Sequence, residues 1–214
     1  MNGIPHWYFH KLDNKYANYK IKCLDPNLLI DAILPPDNIV GSVVYPACEI
    51  VKPGTIRHIA GNRFSLGEPE GSESDRLKFI SDILKRAGFR APIQKNIRDE
   101  IWLKLIGNLS FNPISALTGA TLEQICNDQG TEAIVRAMMT EAKIIAEELG
   151  AKINMSIEKR IDGARKVGAH KTSMLQDIEA GKPIEIDSII IAVKELGKLT
   201  CSPTPYIDTI LNLT

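Results

Sequence analysis

Residues 101–117, IWLKLIGNLSFNPISAL, constrain the fold more than any other stretch of this 214-residue chain. Ile101, Trp102, Leu103, Leu105, Ile106, Leu109 and Phe111 point in most directions around a helical wheel. A helix apolar on nearly every side has no broad face for water and must lie inside an assembly of other elements. Yet Lys104, Asn108 and Asn112 recur every fourth residue, and Ser115 returns close to the direction of Lys104. The polar groups therefore share one narrow strip.

Asparagine is a poor choice for a helix interior, because its amide competes for backbone hydrogen bonds. A pair on one strip reads as the wall of a cleft. The alternative is that Lys104 snorkels to water and both asparagines satisfy neighbouring loops, with Asn112 capping a new helix that has Pro113 at its first position. A lysine walled by apolar groups has a lowered pKa, and a nearby carboxylate pulls it back up, a combination that suits a proton donor near neutral pH.

The chain changes character near residue 96. Before it lie β-branched runs broken by Pro and Gly, NIVGSVVYPACEIV, KPGTIRHIAG and NRFSLGEPEG. These predict short antiparallel strands, with turns at Pro53-Gly54 and Gly61-Asn62. An amphipathic helix follows, with Ser72 as its cap, Leu77, Ile80, Ile83 and Leu84 as its apolar stripe, and Gly88 at its end. From Ile97 onward the helical period dominates. Thr121 with Gln124 marks a capping box, as does Ser173 with Gln176, and helices are expected to end at Gly150, toward Gly168 and at Gly181, with another after Pro183. Glu185 and Asp187 sit where a helix N-terminus favours negative charge.

Composition excludes several functions. Lys plus Arg number 26 against 26 Asp plus Glu, so no summed field draws a nucleic-acid backbone or an anionic membrane. No apolar run approaches the roughly 18 residues of a membrane span, and the start lacks the order of a signal peptide, so a cytoplasmic protein is expected. Cys23, Cys48, Cys126 and Cys201 are scattered without metal-ligand spacing, and the four histidines form no H-x-x-x-H pair. Reduced thiols, mostly in apolar surroundings, and no metal site are expected.

Two separated motifs carry a family resemblance. W-x-K-L-x-x-N-x-x-x-N-P at 102–113 and K-T-S-M-L-Q-D-I-x-x-G-x-x-x-E-I-D at 171–187 stand in the same order as in the ketopantoate reductases (2-dehydropantoate 2-reductases), and NGIP at the start and IRDEIWLKL also match. The chain thus resembles that family over nearly its whole length. The resemblance implies an α+β remnant of a Rossmann-type, NADP-binding domain at 1–96. An all-α substrate-binding and dimerisation domain at 97–214 would follow, of the helical-bundle type found at the C-terminus of 6-phosphogluconate dehydrogenase. It also implies NADPH as cofactor, a small 2-oxoacid as substrate and a homodimer.

The resemblance makes Lys104 the general acid that protonates the ketone oxygen. Glu185 joins it in the catalytic network, Asn108, Asn112 and Ser173 hold the substrate, and Asn2 lies near the nicotinamide. Two departures accompany these roles. Leu122 stands where the family has a polar substrate contact, leaving neighbouring Thr121 either to compensate or only to cap a helix. No two glycines are separated by a single residue, so the G-x-G-x-x-G turn that cradles a dinucleotide pyrophosphate is not in this sequence. A truncated reductase is expected on that ground. The competing expectations are a non-catalytic helical module for binding or oligomerisation, and a related 2-hydroxyacid or opine-type dehydrogenase.

Overall fold

The computed structural model describes residues 2–214. Helix α3 (Ile97–Thr118) begins where the Asn96 side chain accepts the Arg98 amide, and ends where Gly119, at φ 69°, donates to the Ser115 carbonyl. It is continuous through Pro113, so the Asn112-Pro113 pair does not open a new helix. Most of its residues are buried, as the apolar wheel requires.

The remaining helices wrap it. Helix α4 (Leu122–Asn127) starts at the expected capping box of Thr121 and Gln124. Helix α5 (Gln129–Glu148) packs along α3 and brings Met138, Met139, Ala142 and Ile145 into the core with Trp102, Leu105 and Leu109. Helix α6 (Ile157–Val167) lies against α4 and α5, and α7 (Ser173–Glu179) against α3. After Pro183 the chain forms a π-helical turn at Asp187–Ile191, which continues as α8 (Ala192–Thr200). Helix α9 (Pro205–Leu213) is capped from outside its own sequence, because the Glu141 carboxylate accepts the Tyr206 and Ile207 amides.

Ahead of α3 the structure is thinner. Residues 4–10 run without helix or strand, as turns from His6 on, yet bury Ile4, Trp7, Tyr8 and Phe9, held by Arg98, which donates to the Tyr8 carbonyl at 2.7 Å and the His10 carbonyl at 2.8 Å. A short helix, α1 (Leu29–Ile33), is exposed along its length. Strand β1 (Gly41–Val44) pairs antiparallel with β4 (Phe64–Gly67), and β2 (Ala47–Lys52) with β3 (Thr55–Ala60). A strand-bearing front followed by a helical half is the predicted architecture.

Three local expectations are corrected. Gly61-Asn62 does not join neighbouring antiparallel strands, since β3 pairs with β2 and β4 returns to β1. Gly61, at φ 76°, packs on the Tyr45 carbonyl and turns the chain back toward β1, where the Tyr45 amide donates to Arg63. The cap of α2 (Asp75–Arg86) is Ser74 rather than Ser72, because Ser74 accepts the Leu77 amide while Ser72 bonds to Glu70. The cap of α7 is Thr172 rather than Ser173, and Gln176 donates to the Lys171 carbonyl instead of closing a box.

No described helix is long and apolar enough to cross a membrane. The four cysteines are free thiols; Cys126 is buried and Cys23 half-buried, but Cys48 and Cys201 are exposed, so apolar surroundings hold for only two of them.

Candidate active site

A cavity of about 710 Å³ opens between the polar strip of α3, the β1–β2 connection, α6 and the start of α7. Asn2, Lys104, Asn108, Asn112 and Ser173 all line it, although 171 positions separate the first from the last. Helical spacing puts Lys104, Asn108 and Asn112 on one wall. The cap assignment explains Ser173: with Thr172 occupying the N-cap, Ser173 falls in the first turn and faces the cavity instead of its own backbone.

Lys104 sits at one end. Its ammonium donates to the Val44 carbonyl at 2.5 Å and lies 5.8 Å from the centre of the Tyr45 ring, within cation–π range. Burial lowers its pKa below the ordinary lysine value; the Glu185 charge pulls it up and the Arg160 charge pushes it further down. This is the direction expected from the sequence. Glu185 does not line the cavity. It lies at the rim, where its carboxylate accepts the Asn2 amide at 2.7 Å, and it acts on Lys104 through its field, without a direct ion pair among the described residues.

Asn112 is 5% exposed, and its Nδ2 has no hydrogen-bond partner among the described residues. A buried amide left unpaired costs about 1–3 kcal/mol, so a site lining that keeps one is suited to a ligand bearing an acceptor. Leu122 also lines the cavity, while Thr121 is committed to the α4 cap and offers no substitute polar group there.

Two neighbours of the strip escaped the sequence reading. Tyr45 closes the β1 side, its hydroxyl donating to Glu100 at 3.0 Å, and burial together with that carboxylate pushes its pKa up to about 12. Arg160 enters from α6. In IEKRIDGARKV it looks like one of several cations on a solvated face, and the only sequence signal was a glycine, Gly107, inside an otherwise bulky helix. A second hollow, beside α5 and α9, is built around the Glu141 cap and Arg136, which is paired to Glu132 and Glu158. Glu132, Arg136, Thr140 and Glu141 in its lining are already hydrogen-bonded. No cluster of three or more potential metal ligands exists among the described residues.

Comparison with known proteins meets this geometry. A 2-dehydropantoate 2-reductase of Mesorhizobium japonicum is 51% identical over 212 residues, covering 99% of this chain and 65% of that protein. A crystal structure from Ralstonia solanacearum MolK2, assigned to the ketopantoate reductases, superposes with a TM-score of 0.95 at 41% identity, covering 100% of this chain and 65% of the other. The 2-dehydropantoate 2-reductase of Methylococcus capsulatus gives a TM-score of 0.80 at 30% identity, over 88% of this chain and 65% of that one. These relatives are oxidoreductases. The model for the ketopantoate reductase PanE/ApbA C terminal matches residues 96–214, and the chain belongs to that family. It spans about 65% of the length of each of these three relatives.

Proposed function

We propose that this chain supplies the substrate-binding and proton-donating part of an NADPH-dependent 2-dehydropantoate 2-reductase, which reduces 2-dehydropantoate to pantoate on the cytoplasmic route to pantothenate and coenzyme A. The observation that carries this reading is the desolvated ammonium of Lys104 at the end of a cavity lined by Asn108, Asn112 and Ser173. Carbonyl reduction develops negative charge on the ketone oxygen, and a donor held in a dry cleft stabilises that charge and then transfers its proton. Bound NADPH supplies the hydride that reaches the carbonyl carbon. Lys104 supplies the proton to the oxygen, and Glu185 holds Asn2 in place and keeps Lys104 protonated. Asn108, Asn112 and Ser173 orient the carboxylate and hydroxyl of the substrate.

The described residues fit the reacting end of the cofactor, where Asn2 faces the cavity, but not its pyrophosphate, for which none forms a glycine-rich turn. Residues 1–96 are accordingly read as the last part of a nucleotide domain, and 97–214 as the substrate and dimer domain. Exposed Leu117, Ile144, Ile178 and Leu213 on the helical domain give a homodimer apolar surface to bury.

Calorimetric titration with 2-dehydropantoate, alongside NADPH oxidation followed by absorbance, tests the reading. Wild type is expected to bind the acid, and any turnover should fall by about 10²-fold or more in Lys104→Met. Failure of the wild-type chain to bind 2-dehydropantoate would sink the proposal, whereas binding without NADPH oxidation would assign it the role of a non-catalytic substrate module. Leu122 in the cavity favours a second reading, a 2-hydroxyacid dehydrogenase for a more apolar 2-oxoacid. A substrate panel that ranks phenylglyoxylate above 2-dehydropantoate would select it.

A further inference from the structure

Among the described residues the cavity is lined by three cationic side chains, Lys104, Lys159 and Arg160, and by no carboxylate. Of the arginines without an ion pair among the described residues, Arg86, Arg90, Arg98 and Arg160, it is Arg160 that lines the cavity. Arg63, Arg76, Arg136 and Arg165 each meet a carboxylate within 3.0 Å, but no carboxylate among the described residues pairs with Arg160. Its only side-chain hydrogen bond among the described residues is a long one, 3.5 Å from Nη2 to the Lys104 carbonyl. Burial disfavours its charge, and among the described residues the Tyr45 hydroxyl, rather than a carboxylate, acts in the opposite direction. A half-buried guanidinium facing a cavity with open donors is a fork suited to a planar carboxylate.

The opposite wall is shaped to admit it. Gly107 lies inside α3, where glycine costs about 1 kcal/mol relative to alanine. A β-carbon at that position would stand 2.7 Å from Arg160 Nε and closer still to Nη2. The backbone of Gly107 is therefore the surface on which the guanidinium rests, one helical turn from Lys104 and beside Asn108.

We infer that Arg160, seated on Gly107, binds the carboxylate of the 2-oxoacid and sets the preference of the cavity for an anionic over a neutral ketone. The inference rests on the proposed reductase reading, because it gives the acid group of that same substrate a partner. In this arrangement the carboxylate meets the guanidinium while the ketone oxygen, two bonds from the carboxyl carbon, turns toward the ammonium. Lysine at 160 would keep the charge but lose the fork.

The test compares the affinity of the full chain for 2-dehydropantoate with that for its neutral primary amide, by calorimetry, in wild type, Arg160→Gln, Arg160→Lys and Gly107→Ala. Wild type is expected to prefer the acid by at least tenfold. Arg160→Gln should lose at least tenfold in acid affinity with amide affinity changed less than threefold, and Arg160→Lys should recover part of the loss. Gly107→Ala, which keeps the arginine but displaces it, should reduce the same preference. Circular dichroism melts establish that each variant is folded, and the Gly107→Ala and Arg160→Lys arms decide the question should Arg160→Gln fail to fold. An unchanged acid-over-amide ratio in the folded variants overturns the assignment of Arg160 alone. A wild-type chain that binds neither compound overturns it together with the reductase reading.

Discussion

Asn2 Nδ2 donates to Glu185 Oε2 at 2.7 Å, a hydrogen bond that joins residues 183 positions apart. It is reinforced by the Ser188 hydroxyl donating to the Asn2 carbonyl and by the Ile4 amide donating to the Ser188 carbonyl. The start of the chain is thereby fastened to the segment leading into the π-helical turn, and the cavity gains a rim made from both. Glu185→Ala should loosen this rim, raising the KM for 2-oxoacid more than tenfold while the melting temperature moves by only a few degrees; substrate saturation curves and thermal melts check both.

In the proposed reaction Lys104 can donate a proton only while protonated. Its activity is therefore full below its folded pKa and lost as pH rises through it, and burial places that loss below the ordinary lysine range. Lys104→Met should lower kcat by about 10²–10⁴-fold, in line with removal of a general acid. The alkaline limb of the kcat/KM profile, recorded in the reductase assay, is the measurement.

The same limb should respond to the two charges that act on Lys104 in opposite directions. Removing the acid with Glu185→Gln takes away a stabiliser of the ammonium, so the limb moves to lower pH. Arg160→Gln removes a like charge, so it moves to higher pH. Shifts of equal sign in the two variants would contradict the electrostatic account.

Tyr8 and Trp102 are both fully buried, and the Trp102 Nε1–H donates to the Tyr8 hydroxyl at 2.7 Å across perpendicular rings. Tyr8→Phe keeps the ring and leaves the indole N–H unpaired. Urea denaturation should show a loss of about 1–3 kcal/mol, the cost of a buried donor without an acceptor.

Glu68 has a side chain with no exposure and accepts Arg76 through Nε at 2.8 Å and Nη2 at 2.6 Å, with the Ser74 hydroxyl as a further donor. Arg76 holds its carboxyl below the usual range. The contribution is complete above the pKa of an unfolded glutamate and disappears as pH falls through the lower folded value. Arg76→Met should cost roughly 2–3 kcal/mol, less than the ~3–5 kcal/mol of a fully buried pair because the guanidinium is half-exposed. It should also flatten the acid side of the stability profile measured by denaturant titration.

The sequence made the central helix legible because helical spacing turns a four-residue recurrence into a line in space. Lys104, Asn108 and Asn112 needed no tertiary information to be grouped. The capping box at Thr121 was equally local. The misplaced caps show where local chemistry runs out: Ser72 and Ser74, like Thr172 and Ser173, are near-equivalent by type, and the choice falls to the residue whose backbone is extended ahead of the first helical turn. Pairing of β4 with β1 depends on Gly61 packing against Tyr45, a contact no propensity encodes. Ile4, Trp7, Tyr8 and Phe9 follow no helix or strand period because an irregular segment, anchored by Arg98, buries them. Arg160 was hidden for a related reason. Its distinction lies in what it faces across the cavity, and IEKRIDGARKV reads the same whether that arginine meets water or a helix.

Gly107 separates two demands that usually coincide. An added methyl there meets the tip of a long flexible side chain rather than backbone, so the surrounding core has little reason to move. Surveys of heat tolerance would pass over this position or even reward its replacement by alanine. Selection for ligand discrimination alone would keep it empty.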